Sequence, residues 1–186
     1  MNPVWTPGYA LLNLVMWWVM MIAMMTPSAA PMLLLYVAVK RMGPEGHRTV
    51  WLSLLFLGGY LLAWAGFSLI ATLLQWQIES FDLSMGAMMP ITSPVLGGAV
   101  LIMVGVYQFT GVKEACLTHC RSPGAFLAAH NRPGAAGALR LGLLHGGYCL
   151  GCCWALMALL FVGGIMNLYW IAGLALYVLA EKTLPK

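Results

Sequence analysis

No charged side chain occurs before Lys40, and every later apolar run is almost as free of charge. Segments at about 9–39, 49–74, 94–112, 139–162 and 166–181 each come near the ~20 residues that a helix needs to cross a bilayer. In hydrocarbon, backbone amides must bond within the segment, which leaves helices or closed barrels as the available structures. Runs this long and uniform, without period-two alternation, specify helices. The expected fold is therefore all-α: a polytopic transmembrane helix bundle of about five spans, forming a single integral membrane domain over residues 1–186. Only 8% of the residues are charged, against roughly a quarter in a soluble domain. Lipid has to cover what polar side chains cannot.

Pro27 and Pro31 interrupt the first segment, where Thr26 and Ser28 are placed to satisfy freed carbonyls. Lys40, Arg41 and Arg48 follow it, and Lys113, Arg121, Arg132 and Arg140 follow the third segment. The loop after the second segment has no Lys or Arg but contains Glu79 and Asp82. By the positive-inside rule the N-terminus lies outside and the C-terminus inside. Met1 to Gly8 has no basic start, which argues against a cleavable signal peptide. The net charge of +4 is too small and dispersed for nucleic-acid binding. The turn-rich connection at 121–139 (Ser122-Pro123-Gly124, Asn131-Arg132-Pro133-Gly134) reads as irregular.

All five cysteines fall in two clusters, with two of the four histidines. Cys116, His119 and Cys120 stand at i, i+3, i+4, on an extension of the third helix. His145, Cys149, Cys152 and Cys153 stand at i, i+4, i+7, i+8 in the fourth. On helices each set shares one face, and the topology brings both to the same side of the membrane. Thiolate and imidazole are ligands for Zn²⁺, Cu(I) and iron–sulfur centres. Cysteine also packs as a small hydrophobe, and one of the adjacent pair Cys152 and Cys153 is expected to do so. An odd cysteine count in such positions argues against a disulfide framework. His47 and His130 have no clustered neighbours.

Methionine supplies a second soft donor. Met16, Met20 and Met24 follow one another at i+4 on the first helix, beside Trp17, Trp18, Met21 and Met25; Met85, Met88 and Met89 precede Pro90. Methionine fills packing gaps and tryptophan favours membrane interfaces, so packing competes with ligation here. No Ser-His-Asp set, paired carboxylates, nucleotide loop or zincin helix is present, and the near-absence of charge in the spans counts against an ion pump.

Three stretches also carry a resemblance: Trp17-x-x-Met20-x-x-Ala23-Met24-Met25-x-Pro27, Cys116-x-x-His119-Cys120-Arg121-x-Pro123, and His145-Gly146-x-Tyr148-Cys149-x-Gly151-Cys152-Cys153-Trp154. Together they resemble a bacterial family of predicted metal-binding integral membrane proteins, a domain of unknown function whose members tend to be longer. The resemblance implies a multi-pass protein of the bacterial inner membrane that binds metal.

The leading expectation is a soft-metal site for handling or delivery, with copper first and zinc second. Its ligands would be Cys116, His119, Cys120, His145, Cys149 and Cys152, with Met20 and Met24 as secondary donors. Expected partners are the lipid bilayer and a larger membrane protein complex or a homo-oligomer. Two other readings stand beside it. One is a non-catalytic accessory subunit of a larger membrane oxidoreductase. The other is a thiol–disulfide protein using Cys149 and Cys152, which a reducing cytosolic side disfavours.

Overall fold

A computed structural model describes residues 6–80, 94–164 and 167–184. The described residues form helices α1 (Pro7–Met42), α2 (Thr49–Ser80), α3 (Pro94–Gln108), α4 (Gly111–Arg121), α5 (Pro123–His130), α6 (Gly134–Ala158), α7 (Leu160–Gly163) and α8 (Leu168–Thr183), with a 3₁₀ turn at Gly46–Arg48. There is no strand among them. Asp82, Met85, Met88, Met89 and Pro90 lie outside the described residues.

Pro7–Met42, Gly46–Ser80 and Gly134–Gly163 are long and apolar enough to cross a membrane. The α3–α4 pair, bent by 62°, makes a fourth when counted as one span. Where the sequence suggests about five spans, three or four among the described residues are long and apolar enough; α8, with 16 residues, is shorter than a helix normally needs to cross. Large apolar side chains such as Leu12, Val19, Leu62 and Leu73 face outward from α1 and α2, as lipid-facing surfaces require.

α1 continues through Pro27 and Pro31. Ser28 Oγ donates to the Met25 carbonyl at 2.9 Å, while Thr26 Oγ1 has no partner. α1 and α2 are antiparallel: Trp17 Nε1 donates to Gln75 Oε1 (2.7 Å) and Tyr60 OH to the Met25 carbonyl (3.1 Å). Gln75 Nε2 in turn donates to Asn13 Oδ1 and Glu79 Oε1, so this polar group inside the apolar layer is satisfied on every side.

α6 runs parallel to α2 and lies against it almost backbone to backbone. A Cβ on Gly142 would sit 1.9 Å from the Phe56 carbonyl oxygen, on Gly59 2.3 Å from that of Leu139, and on Gly146 2.7 Å from Ala63 Cβ. Gly142 and Gly146, four apart, form the small-residue stripe that lets membrane helices approach closely. α6 becomes the central post, and the buried faces of α1, α2, α4 and α8 converge on its middle.

Two local expectations change. The third segment does not extend straight into the first cysteine cluster: it stops at Gln108, and α4 starts afresh after Thr110, whose Oγ1 accepts from the Lys113 amide at 3.4 Å. This hydroxyl cap gives α4 its own direction. The stretch at 121–139 is largely helical rather than irregular. Pro123 opens α5 at a position where a missing N–H costs nothing, and Gly134, at φ +80°, turns the chain into α6.

Candidate metal centre

The helical spacing on α6 places His145, Cys149, Cys152 and Cys153 on its inward side, all buried. Cys149 Sγ accepts from Lys182 Nζ at 2.8 Å and lies 3.1 Å from Tyr60 OH. Cys152 Sγ donates to the Cys149 carbonyl at 3.1 Å and lies 3.2 Å from Cys153 Sγ. The adjacent cysteines thus turn their sulfurs toward one another, although the sequence suggested that one of them packs elsewhere. From α4, Cys120 packs against the same core as these thiols. Three thiols thus cluster on α6 with Cys120 of α4 packed against their core, and all five cysteines are free thiols.

A cavity of about 230 Å³ opens beside this group, lined by Ser28, Met32, Cys120, Arg121, His145 and Lys182 among others. His145 is 3% exposed and its Nδ1 has no hydrogen-bond partner. Its ring is held among Phe56, Tyr60 and Phe126, with centroids 5.6–6.1 Å away. An unpaired imidazole nitrogen in an apolar wall is costly. It has donor capacity to spare.

The remaining sequence candidates are placed differently. Cys116 presses on Gly151, where an added Cβ would come within 2.7 Å of its sulfur; it helps dock α4 on α6, and Tyr107 OH docks α3 there by donating to the Gly151 carbonyl at 2.5 Å. His119 is turned away from the thiols and stacks on Tyr148 at 4.2 Å. Met24 is buried in the same core as the thiols, together with Met21 and Met25, and Met20 packs against it.

Lys182 is the residue that sequence reasoning missed. In the sequence it is only one of the charges at the C-terminus placed inside, yet it is 9% exposed and bonds both Cys149 Sγ and Ser28 Oγ (3.1 Å). Its neighbour Glu181 holds α8 in place: the carboxylate pairs with the buried Lys113, and the main-chain oxygen accepts from Arg121 Nε at 2.8 Å. Lys113 also bonds Gln108. An acid in a basic sequence context (Glu181 beside Lys182, near the chain end) was the one available signal.

Among the described residues, no group of three or more His, Cys, Asp or Glu side chains is arranged to hold a metal ion. Two sulfurs on one ion, with bonds of ~2.3 Å, sit roughly 3.8 Å apart. The Cys152–Cys153 separation is shorter than that, so the thiols contact each other rather than frame an ion. The donor chemistry nevertheless fits a soft monovalent cargo: thiol sulfur, thioether sulfur and one unpaired imidazole nitrogen, with no carboxylate among them.

No curated protein and no solved structure matches this chain. The family described as a copper chaperone, PpoB2, matches residues 14–186; this covers nearly the whole chain, and the chain belongs to that family.

Proposed function

We propose that the protein is a membrane-embedded copper chaperone that takes up Cu(I) at the thiol group on α6 and passes it on. The observation that carries this reading is the cluster of Cys149, Cys152 and Cys153, with Cys120 packed against its core and lining the same cavity as His145, whose Nδ1 is unpaired. Thiolate and thioether donors select Cu(I) over harder cations. Cys149 and Cys152 are the principal ligands, Cys120 joins them from α4, and His145 closes the cavity side. Met24 and Met20 are secondary donors on the approach along α1. Copper is cargo here, so exchangeable binding is needed, and thiols that contact each other without forming a closed cage suit release as well as capture.

On this reading Lys182 holds the copper-free site. Its ammonium donates to Cys149 Sγ, and an incoming cation must displace it. The Lys/Arg-rich end of the bundle faces the cytoplasm, the protein sits in the bacterial inner membrane, and the recipient is a larger membrane protein complex. The test is copper content by mass spectrometry, on protein purified anaerobically in mild detergent. About one copper per chain, lost in Cys149→Ser/Cys152→Ser, is expected. Tightly bound copper retained in that variant would overturn the assignment.

A further inference from the structure

His130 gave no functional signal in the sequence, and His119 left the thiol group when the helices were placed. The structure sets both on the walls of a second cavity, of about 220 Å³, between α4 and α5. Thr118, Ser122, Ala125, Phe126 and Ala129 complete its lining. His119 Nδ1 lies 2.8 Å from the Ala115 carbonyl oxygen, and His130 Nδ1 lies 3.0 Å from that of Phe126. A carbonyl oxygen only accepts, so in each ring Nδ1 carries the hydrogen and donates it. In each neutral ring Nε2 therefore keeps its lone pair. This is the arrangement that metal-binding histidines take, with the far N–H tied to a carbonyl so that tautomer and ring orientation are set in advance.

The rings are also fixed against rotation. Phe126 stacks on His130 (4.7 Å, 25°) and meets His119 edge-on (6.3 Å, 86°). Tyr148 of α6 stacks flat on His119 (4.2 Å, 4°). A water molecule takes ~30 Å³ in the liquid, so the cavity has room for an ion and part of its hydration shell.

We propose that His119 and His130 form a receiving site for a copper ion, outside the thiol group and upstream of it. The cargo rests on the copper-handling reading above; the site itself rests on the two oriented imidazoles. α4 links the two sites through adjacent residues. His119 faces the outer cavity, while Cys120 turns inward to line the inner one and packs against the core that holds Cys152. A copper ion held by imidazole nitrogen can thus exchange donor by donor onto sulfur, with Cys120 as the first thiol it meets. No bond other than the coordinate ones changes, and copper stays Cu(I) throughout.

The test uses the full chain in detergent under argon, titrated with Cu(I) against a chromophoric chelator, while loading is followed in time. Two classes of site are expected. His119→Gln/His130→Gln should lose the weaker class and load the thiol site about 10-fold more slowly, with the final content of the tight class unchanged. Cys149→Ser/Cys152→Ser should lose only the tight class. Carbethoxylation of the unaltered chain, mapped by mass spectrometry, supplies a readout independent of folding in the variants: Cu(I) should protect His119 and His130. Unchanged loading in the histidine variant, or histidines modified equally with and without Cu(I), would overturn the proposal. Failure of the thiol assignment would look different, as tight copper retained by the cysteine variant.

Discussion

Cys149 is pulled by neighbours from three other parts of the chain: Tyr60 of α2, Lys182 of α8 and, through Tyr60, the Met25 carbonyl of α1. Replacing any partner leaves the others in an apolar wall, where an unmade bond to a charged group costs about 1.5–3 kcal/mol. Ser28→Ala removes Ser28 Oγ, which accepts from Lys182 beside Cys149 Sγ, and the stability measured by thermal unfolding in detergent should fall by an amount in that range. Lys182→Met acts differently. Two unit positive charges ~4 Å apart repel by roughly 4 kcal/mol at an effective dielectric of 20, so the ammonium opposes a copper ion on Cys149. Its replacement by a thioether should tighten Cu(I) binding by about 10-fold or more, read by chelator competition; unchanged or weaker binding would exclude Lys182 as the competing cation. None of this was visible in the spacing of α6 alone. That spacing correctly put His145, Cys149 and Cys152 on one face, but a partner 33 positions away in sequence has no periodicity to betray it.

Between elements, the glycines of α6 decide how accurately the thiols are presented. Gly142→Ala drives a methyl into the Phe56 carbonyl, and backbone cannot rotate away as a side chain can. A loss of about 1–3 kcal/mol is expected, together with weaker copper retention, because α2 carries Tyr60 away from Cys149. Gly147→Ala is the control: nothing lies within 4 Å of its added Cβ, and stability should hold or rise by up to about 1 kcal/mol. Helix identity was legible from hydrophobic run length, since lipid leaves few alternatives to a helix. Helix ends were less so. α4 and α5 were hidden because Thr110, Pro123 and Gly134 read equally as turn residues and as helix boundaries, and only packing against α6 and α1 decides between these. His119 shows the same limit: its spacing from Cys116 and Cys120 was right for one face, yet a three-residue step spreads over enough of α4 to place the imidazole against Tyr148 instead.

For the whole molecule, helix length sets the frame. α1 has 36 residues and measures about 54 Å at 1.5 Å per residue, against a hydrocarbon thickness of ~30 Å. Tilt, a kink or projection from the apolar layer has to take up the difference. The connection from α1 to α2 is tied down at Glu45, which pairs with Lys40 at 2.7 Å and accepts from the Gly134 amide at 2.9 Å, joining the α1–α2 turn to the start of α6. The hydrogen bond from Lys40 and then that from Gly134 hold the Glu45 carboxyl below its ordinary pKa of 4.5. A carboxylate with a lowered folded pKa stabilises the fold above its unfolded value and loses that contribution as pH falls through the folded one. The unfolding temperature should accordingly drop as pH is lowered below about 4.5, and Glu45→Gln should flatten this part of the profile. Equal acid sensitivity in both proteins would remove Glu45 from the explanation.

The tie between Ser28 and Lys182 spans 154 positions of sequence. A ribosome makes the cysteines of α4 and α6 well before it makes the lysine that will hold one of them. During that interval the thiols exist without their ammonium partner and without the α8 end that Lys113 and Arg121 anchor. The thiol group therefore waits for α8 before it has its ammonium partner, and a chain stalled before α8 carries its sulfurs in an unguarded state.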